Sequence, residues 1–197
     1  YGSGFDMTGG KFNLTKSKEA IGKMLDDVSK QTGMDANLLK TVAAIESGFN
    51  PTASARPASS ASGLFQFTDP TWSDMLKKYG SKYGIEPGTT QLDPLANSLM
   101  GAEYLKENSK VLSSVKKDVN ATDLYMAHFL GPGGAKQFLK SDPSAIGASL
   151  LPSSASANKT IFYKDNGKGM PRTVGEIYQF LQNLVARRAK EYGFTAG

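Results

Sequence analysis

Glu46 closes the apolar stretch Val42-Ala43-Ala44-Ile45, an unusual place for a carboxylate. Gly48 can take a left-handed helix cap and Pro51 cannot continue a helix, so Glu46 is expected in a last helical turn. Backbone carbonyls make that end negative, and a lysine or arginine would be favoured there. A carboxylate held against Val42 and Ile45 has its charged form disfavoured twice, by desolvation and by the helix dipole, so its pKa should rise. A glutamate that stays protonated near neutral pH suits general-acid chemistry at a leaving oxygen, as in glycosidic cleavage. The alternative is an ordinary glutamate pointing into water past the helix end. Other reactive side chains are few. His128 is the only histidine and cysteine is absent, which removes thiol chemistry and disulfides and leaves the redox compartment open. No metal-ligand cluster, phosphate loop or nucleophile triad can be read from the spacing, so neither a metal nor a cofactor is expected. Glu103 and Glu107 are the candidates for a second acid, Glu103 facing a groove from a neighbouring helix, unless both are solvated.

The segments that must position these residues read as helices. Ala20, Ile21, Met24, Leu25 and Val28 fall at helical spacing between Lys18 and Lys30, and Gly33 ends that segment. Asp35 caps a second helix carrying Leu38, Leu39, Val42 and Ile45 inward. Asp69-Pro70 and Asp93-Pro94 each read as an N-cap followed by proline at the first helical position. Leu95, Leu99, Ala102 and Leu105 trace one face of the helix after Asp93. Thr122 or Asp123 opens a short helix that stops at Gly131-Pro132-Gly133, with another turn or two over Ala135 to Leu139. A last helix runs from about Thr173 to Glu191. The small, polar stretch from Pro51 to Gly63 links Glu46 to the run Leu64 to Phe67. Ser149 to Pro171 carries turn residues and an aromatic patch, Ile161 to Tyr163, suited to a small hairpin. The expected fold is all-α, a helical bundle around a groove with at most a small β-hairpin. Residues 1–12 are expected to be linker, and 13–197 one domain with a C-terminal helical extension.

Composition limits the partners. The 197 residues support one compact core, and no apolar run is long enough to span a membrane. The first residues lack the pattern of a secretory signal. A net charge of +5 points weakly to a polyanion: nucleic acid, anionic lipid or bacterial wall. The basic clusters lack the aromatic interleaving and motifs of nucleic-acid binders, so no nucleic-acid partner is expected. The cationic stretch from Tyr178 to Tyr192 has two readings, a membrane-perturbing element or a helix packed on the core with Arg187, Arg188 and Lys190 complementing its dipole.

Three stretches together carry a resemblance. "ESGFNPTASARPASSASGLFQF", Glu46 to Phe67, resembles the signature of the lytic transglycosylases of the soluble, goose-lysozyme-like superfamily: Glu-Ser-Gly-Phe-Asn-Pro, a loop of small residues, then Gly-Leu-Met-Gln. Glu46 to Pro51 match in register, as do Gly63, Leu64 and Gln66, with Phe65 in the methionine place. "DPLANSLMGAEYLKE", Asp93 to Glu107, is similar to the family's Asn-Ile, Gly, Tyr-Leu helix. "LYMAHFLGPGGA", Leu124 to Ala135, is similar to its Ala-Tyr-Asn-Ala-Gly-Pro-Gly turn. The resemblance implies a lysozyme-like fold and a monomeric enzyme that cuts peptidoglycan between N-acetylmuramic acid and N-acetylglucosamine, forming a 1,6-anhydro end. Glu46 would be the single catalytic carboxylate, assisted by Tyr125 and His128 one turn apart on one helix face. Ser47, Leu64, Phe65, Gln66, Glu103 and Phe129 would line the sugar groove, Phe65 by stacking and Gln66 as both donor and acceptor to N-acetyl groups.

Two departures stand out. The family's loop serine that touches the catalytic glutamate aligns with Pro57, leaving Ser59 or Ser60 to supply that hydrogen bond. His128 stands where the family has tyrosine. With Phe65 and the wording "FLGPGGAKQFL", these departures resemble bacteriophage wall-degrading enzymes, acting as an endolysin or from the virion on the wall or periplasm; a bacterial secretion or flagellar enzyme is the other origin. A hydrolytic muramidase and a non-catalytic wall-binding or virion module are the alternatives on the same fold.

Overall fold

The computed structural model describes residues 14–194; the expected linker over 1–12 lies outside the described residues. They fall into two compact units, 14–106 with 188–194 and 107–187.

The first unit begins with α1 (Leu14–Thr32) and α2 (Ala36–Ser47), whose apolar faces meet. Ile21, Met24, Leu25 and Val28 recur at spacings of three, four and seven along one face of α1, and all are buried, as are Leu38, Leu39 and Val42 of α2. Between the helices Gly33 takes φ 79°, and Asp35 caps α2 by accepting from the Leu38 N–H. The ion pair Lys40–Asp26, 2.8 Å, ties the two helices at the surface. After an irregular loop come α3 (Asp69–Met75), a π-helical turn (Leu76–Gly80) and one 3-10 turn (Ser81–Tyr83). α3 starts one residue earlier than the Asp-Pro pair suggests: Thr68 is the N-cap and Asp69 and Pro70 are the first helical residues. At Asp93-Pro94 the expectation holds, because the Asp93 carboxylate accepts from the Ala96 N–H at the start of α4 (Pro94–Leu112).

The second unit holds the end of α4, α5 (Ala121–Lys140), the one-turn helices α6 (Gly147–Leu150), α7 (Pro152–Ala157) and α8 (Lys159–Phe162), a left-handed turn α9 (Lys164–Gly167), and most of α10 (Val174–Glu191). α5 opens at Ala121, one residue before Thr122, with its N-cap Asn120 and Asp123 forming a reciprocal capping box. Gly131 leaves the helical region at φ 81°, ψ 156°, and a second limb begins at Pro132, so the expected stop is a sharp kink. Buried Asp123 accepts from Lys116 Nζ at 2.7 Å and from Tyr178 Oη at 2.8 Å, joining α5 to α10. The aromatic patch at Ile161 to Tyr163 forms the end of α8 rather than a strand, and its only ladder element is the bridge Tyr163–Pro171. Arg172 holds this region by donating to the carbonyls of Thr160, Ile161 and Tyr163 while its guanidinium covers Phe180 at 4.4 Å. Val174, Ile177, Leu181 and Val185 of α10 are buried, so its apolar stripe serves the protein interior and not a lipid surface. Among the described residues no helix is long and apolar enough to cross a membrane. The protein is mainly helical, with isolated bridges and no sheet among the described residues.

Candidate active site

Glu46 lies in the last turn of α2, as its neighbours require. Gly48 caps the helix at φ 60°, ψ 31°, its N–H returning to the Ala44 carbonyl. Phe49 follows, also left-handed at φ 65°, a conformation that costs a bulky residue about 1–2 kcal/mol. Burial of the ring offsets that cost: Phe49 lies 5.2 Å from Tyr192 and 5.8 Å from Phe194, centroid to centroid. Two left-handed residues in succession turn the chain sharply directly after the carboxylate.

The Glu46 carboxyl is half-buried, and among the described residues no hydrogen-bond donor and no cation partners it. Burial alone acts on it and pushes its pKa from 4.5 to about 8. It is therefore a protonated acid at neutral pH. The Ser47 hydroxyl donates back to the Ala43 carbonyl at 3.0 Å, within its own helix. Neither loop serine supplies the bond to Glu46: Ser60 Oγ accepts from the Asp69 N–H at 2.9 Å, and Ser59 Oγ accepts from the Ala61 N–H at 3.1 Å. Pro57 is exposed in that loop.

The loop from Ala53 to Phe67 is held by groups that point inward. Leu64 and Phe65 are both 0% exposed, which corrects the expectation that they line a sugar groove. The Phe65 ring lies against the backbone of Gly101, where an added Cβ would come 2.7 Å from Cγ; no face remains for a sugar. Gln66 is half-buried with φ 52°, and its amide Nε2 donates to the carbonyls of Gly63 (2.8 Å) and Ala53 (3.1 Å). Both donor hydrogens are thus taken up within the loop, and Gln66 can offer a ligand only its oxygen, as an acceptor.

Asn97 on α4 is a residue that sequence reasoning passed over. It is fully buried; its Oδ1 accepts from the Phe65 N–H at 2.8 Å, and its Nδ2 donates to the carbonyls of Gln91 (2.9 Å) and Ser62 (3.4 Å). Gly63, at φ 85°, must be glycine because a Cβ would overlap the Asn97 amide and the Gln91 carbonyl. The available signal was an amide amid the apolar letters of a helix that begins at Asp93.

Glu103 is 3% exposed, so it does not present a carboxylate to an open groove. Its Oε1 accepts from Tyr83 Oη at 2.8 Å and from Lys82 Nζ at 3.1 Å. Tyr125, His128 and Phe129 belong to the second unit, on the first limb of α5. Tyr125 is buried with its ring 5.5 Å from that of Phe129, one turn on, while His128 and Phe129 are half-buried. Among the described residues no three histidine or carboxylate side chains are grouped closely enough to hold a metal ion.

Residues 23–146 match the family model described as the transglycosylase SLT domain. That span covers more than half of the chain and contains Glu46, the loop through Gln66, Asn97, Glu103 and the first limb of α5.

Proposed function

The chain belongs to the SLT family of lytic transglycosylases, enzymes of peptidoglycan, and from that membership we propose that it cuts the glycan between N-acetylmuramic acid and N-acetylglucosamine with Glu46 as its single acid and base. The observation that carries this reading is the lone, desolvated carboxyl of Glu46, protonated at neutral pH. In the first step Glu46 gives its proton to the bridging oxygen, the bond from C1 to that oxygen breaks, and the substrate's own acetamido oxygen stabilises C1. In the second step the Glu46 carboxylate takes the proton of the muramyl 6-hydroxyl, O6 bonds to C1, and Glu46 ends protonated for the next cycle. No water is consumed, so no second carboxylate is needed, in contrast to a two-carboxylate hydrolase. Engagement of Glu103 by Lys82 and Tyr83 supports the one-carboxylate reading over the muramidase. Tyr125 and His128 are assigned to the reacting sugar on the resemblance of their turn. The reading puts the site of action at the bacterial wall, and the departures at Phe65 and His128 favour a phage enzyme over a housekeeping one.

The test is the mass of the fragments released from purified Gram-negative peptidoglycan. Intramolecular closure leaves muropeptides one water lighter than lysozyme products and without a reducing muramyl end. Reducing ends would establish a hydrolase instead, and wall binding without fragments would establish a non-catalytic module.

A further inference from the structure

A cleft of about 660 Å³ in the first unit contains none of the residues assigned to the glycan chemistry. It opens between α3 with its π-helical turn and the loop that follows Gly84. Its apolar lining comes from Trp72, Leu76, Ile85 and Pro87. The loop is fixed to the helix by the indole N–H of Trp72, which donates to the Thr89 carbonyl at 3.0 Å. The rim carries hydroxyls, and those of Ser73, Ser81 and Thr89 make no hydrogen bond among the described residues.

Two charges line this cleft, Asp69 and Lys77, and only one is available to a ligand. Asp69 is gripped by Arg56, whose Nη2 lies 2.8 Å and 2.9 Å from its two oxygens, and by Gln91 at 2.6 Å. Arg56 holds the Asp69 carboxyl below its ordinary pKa. Lys77 is exposed and has no acidic partner among the described residues. It sits within the π-helical turn, a widened helix geometry that recurs at functional sites. The cleft is thus of ligand size, apolar inside, lined with free hydroxyls and marked by one uncompensated positive charge.

These features fit a short peptide with small side chains and an excess of carboxylate. Sugar rings are held against exposed aromatic faces, and Trp72, 5% exposed with its N–H engaged, offers none. We propose that this cleft binds the peptide stems of peptidoglycan, with Lys77 receiving a stem carboxylate, the hydroxyl rim meeting the peptide amides, and the apolar floor taking alanine methyl groups. The proposal rests on the peptidoglycan reading for the source of the peptide. It gives the enzyme a hold on cross-linked wall independent of its hold on the glycan.

Trp72 is the only tryptophan of the chain and lines this cleft, so its fluorescence gives a readout there. The full chain is titrated with the free tetrapeptide L-Ala-γ-D-Glu-meso-diaminopimelyl-D-Ala, which is net anionic, and binding is read from Trp72 emission and in parallel by calorimetry. The expected result is saturable binding of the tetrapeptide, with no Trp72 response to chitotetraose. Lys77→Glu should weaken binding by about tenfold. Gly88→Leu should weaken it sterically, since a Cβ at that lining position meets no atom within 4 Å and the fold can accept it. Both variants should cut peptide-free glycan as the wild type does. Absence of saturable tetrapeptide binding, equal affinity in both variants, or competition by chitotetraose overturns the proposal. Tetrapeptide binding by a chain that releases no fragments from wall would overturn the transglycosylase reading and leave the cleft assignment standing.

Discussion

Replacing Glu46 with glutamine should change stability in a pH-dependent way as well as remove activity. The Glu46 carboxyl is raised from 4.5 to about 8 in the folded protein, so between those values the folded state holds a proton that the unfolded chain has released. Wild-type stability therefore falls as pH rises through that window and levels off above pH 8. The rise corresponds to a ceiling of about 5 kcal/mol against the carboxylate form. Because the carboxyl is half-buried and keeps some access to water, about 2 kcal/mol is the expected realised cost. Glutamine does not titrate, so Glu46→Gln should match the wild type near pH 4.5 and exceed it by about 2 kcal/mol at pH 9. Urea unfolding of both proteins by circular dichroism at pH 5 and pH 9 measures the difference. Lysis of purified wall should fall at least about a hundredfold in the variant, and in the wild type should decline about tenfold per pH unit above pH 8. A stability difference that stays constant from pH 5 to pH 9 would refute the desolvation argument even if activity is lost. Variant activity within a few fold of wild type would refute the catalytic assignment.

Three further substitutions probe the frame around the site. Gly101→Ala forces a methyl group against the buried Phe65 ring and should cost about 1–3 kcal/mol, seen as a lower urea midpoint; an unchanged midpoint would mean that the loop shifts freely. Glu103→Gln should leave wall lysis within a few fold of wild type and the anhydro product unchanged, since this carboxylate serves Lys82 and Tyr83; a hundredfold loss by the same lysis assay would make Glu103 part of the chemistry. Asp123→Ala removes the buried acceptor shared by Lys116 and Tyr178 and should cost about 3 kcal/mol in thermal or urea unfolding, whereas a cost under about 0.5 kcal/mol would mark the network as dispensable.

The helices were legible because their information is local. The buried positions 21, 24, 25 and 28 repeat at the helical period, and Asp35, Gly48 and Asp93 act on backbone groups within four residues of themselves. The same locality placed Glu46 in its last turn. What escaped depends on distant partners. Nothing near Phe65 tells that Gly101 receives its ring, and a phenylalanine directly after a polar loop reads equally well as a ligand platform. The amide of Gln66 donates to two carbonyls of its own loop, one of them thirteen residues away, beside a left-handed backbone that no neighbouring letter announces. The Gly-Pro-Gly run reads as a helix end and is one, by the single residue Gly131, but proline is also a good first residue for the next limb, and α5 resumes at once. A π-helical turn leaves no mark on hydrophobic periodicity over five residues.

The polar side chains at the end of α2, in the loop through Gln66 and at Asn97 share one property. The Ser47 hydroxyl, the amides of Gln66 and Asn97, and the hydroxyls of Ser59 and Ser60 all bond to backbone groups of the helix or loop that carries or faces them. Each holds the chain in place, and none neutralises or solvates the carboxyl. A family-type serine at the place of Pro57 would stabilise the carboxylate by hydrogen bonding and lower its pKa, favouring the base role over the acid role. Without it, desolvation acts unopposed and the resting state is the acid, the form that the first of the two proposed proton transfers requires. The corresponding cost falls on the second: a carboxylate formed in that setting is high in energy and therefore a strong base, which suits removal of a proton from a hydroxyl far less acidic than itself. On the proposed one-carboxylate mechanism the departure at Pro57 would serve both halves, since the same missing hydrogen bond would keep the proton on before cleavage and drive its recapture afterwards.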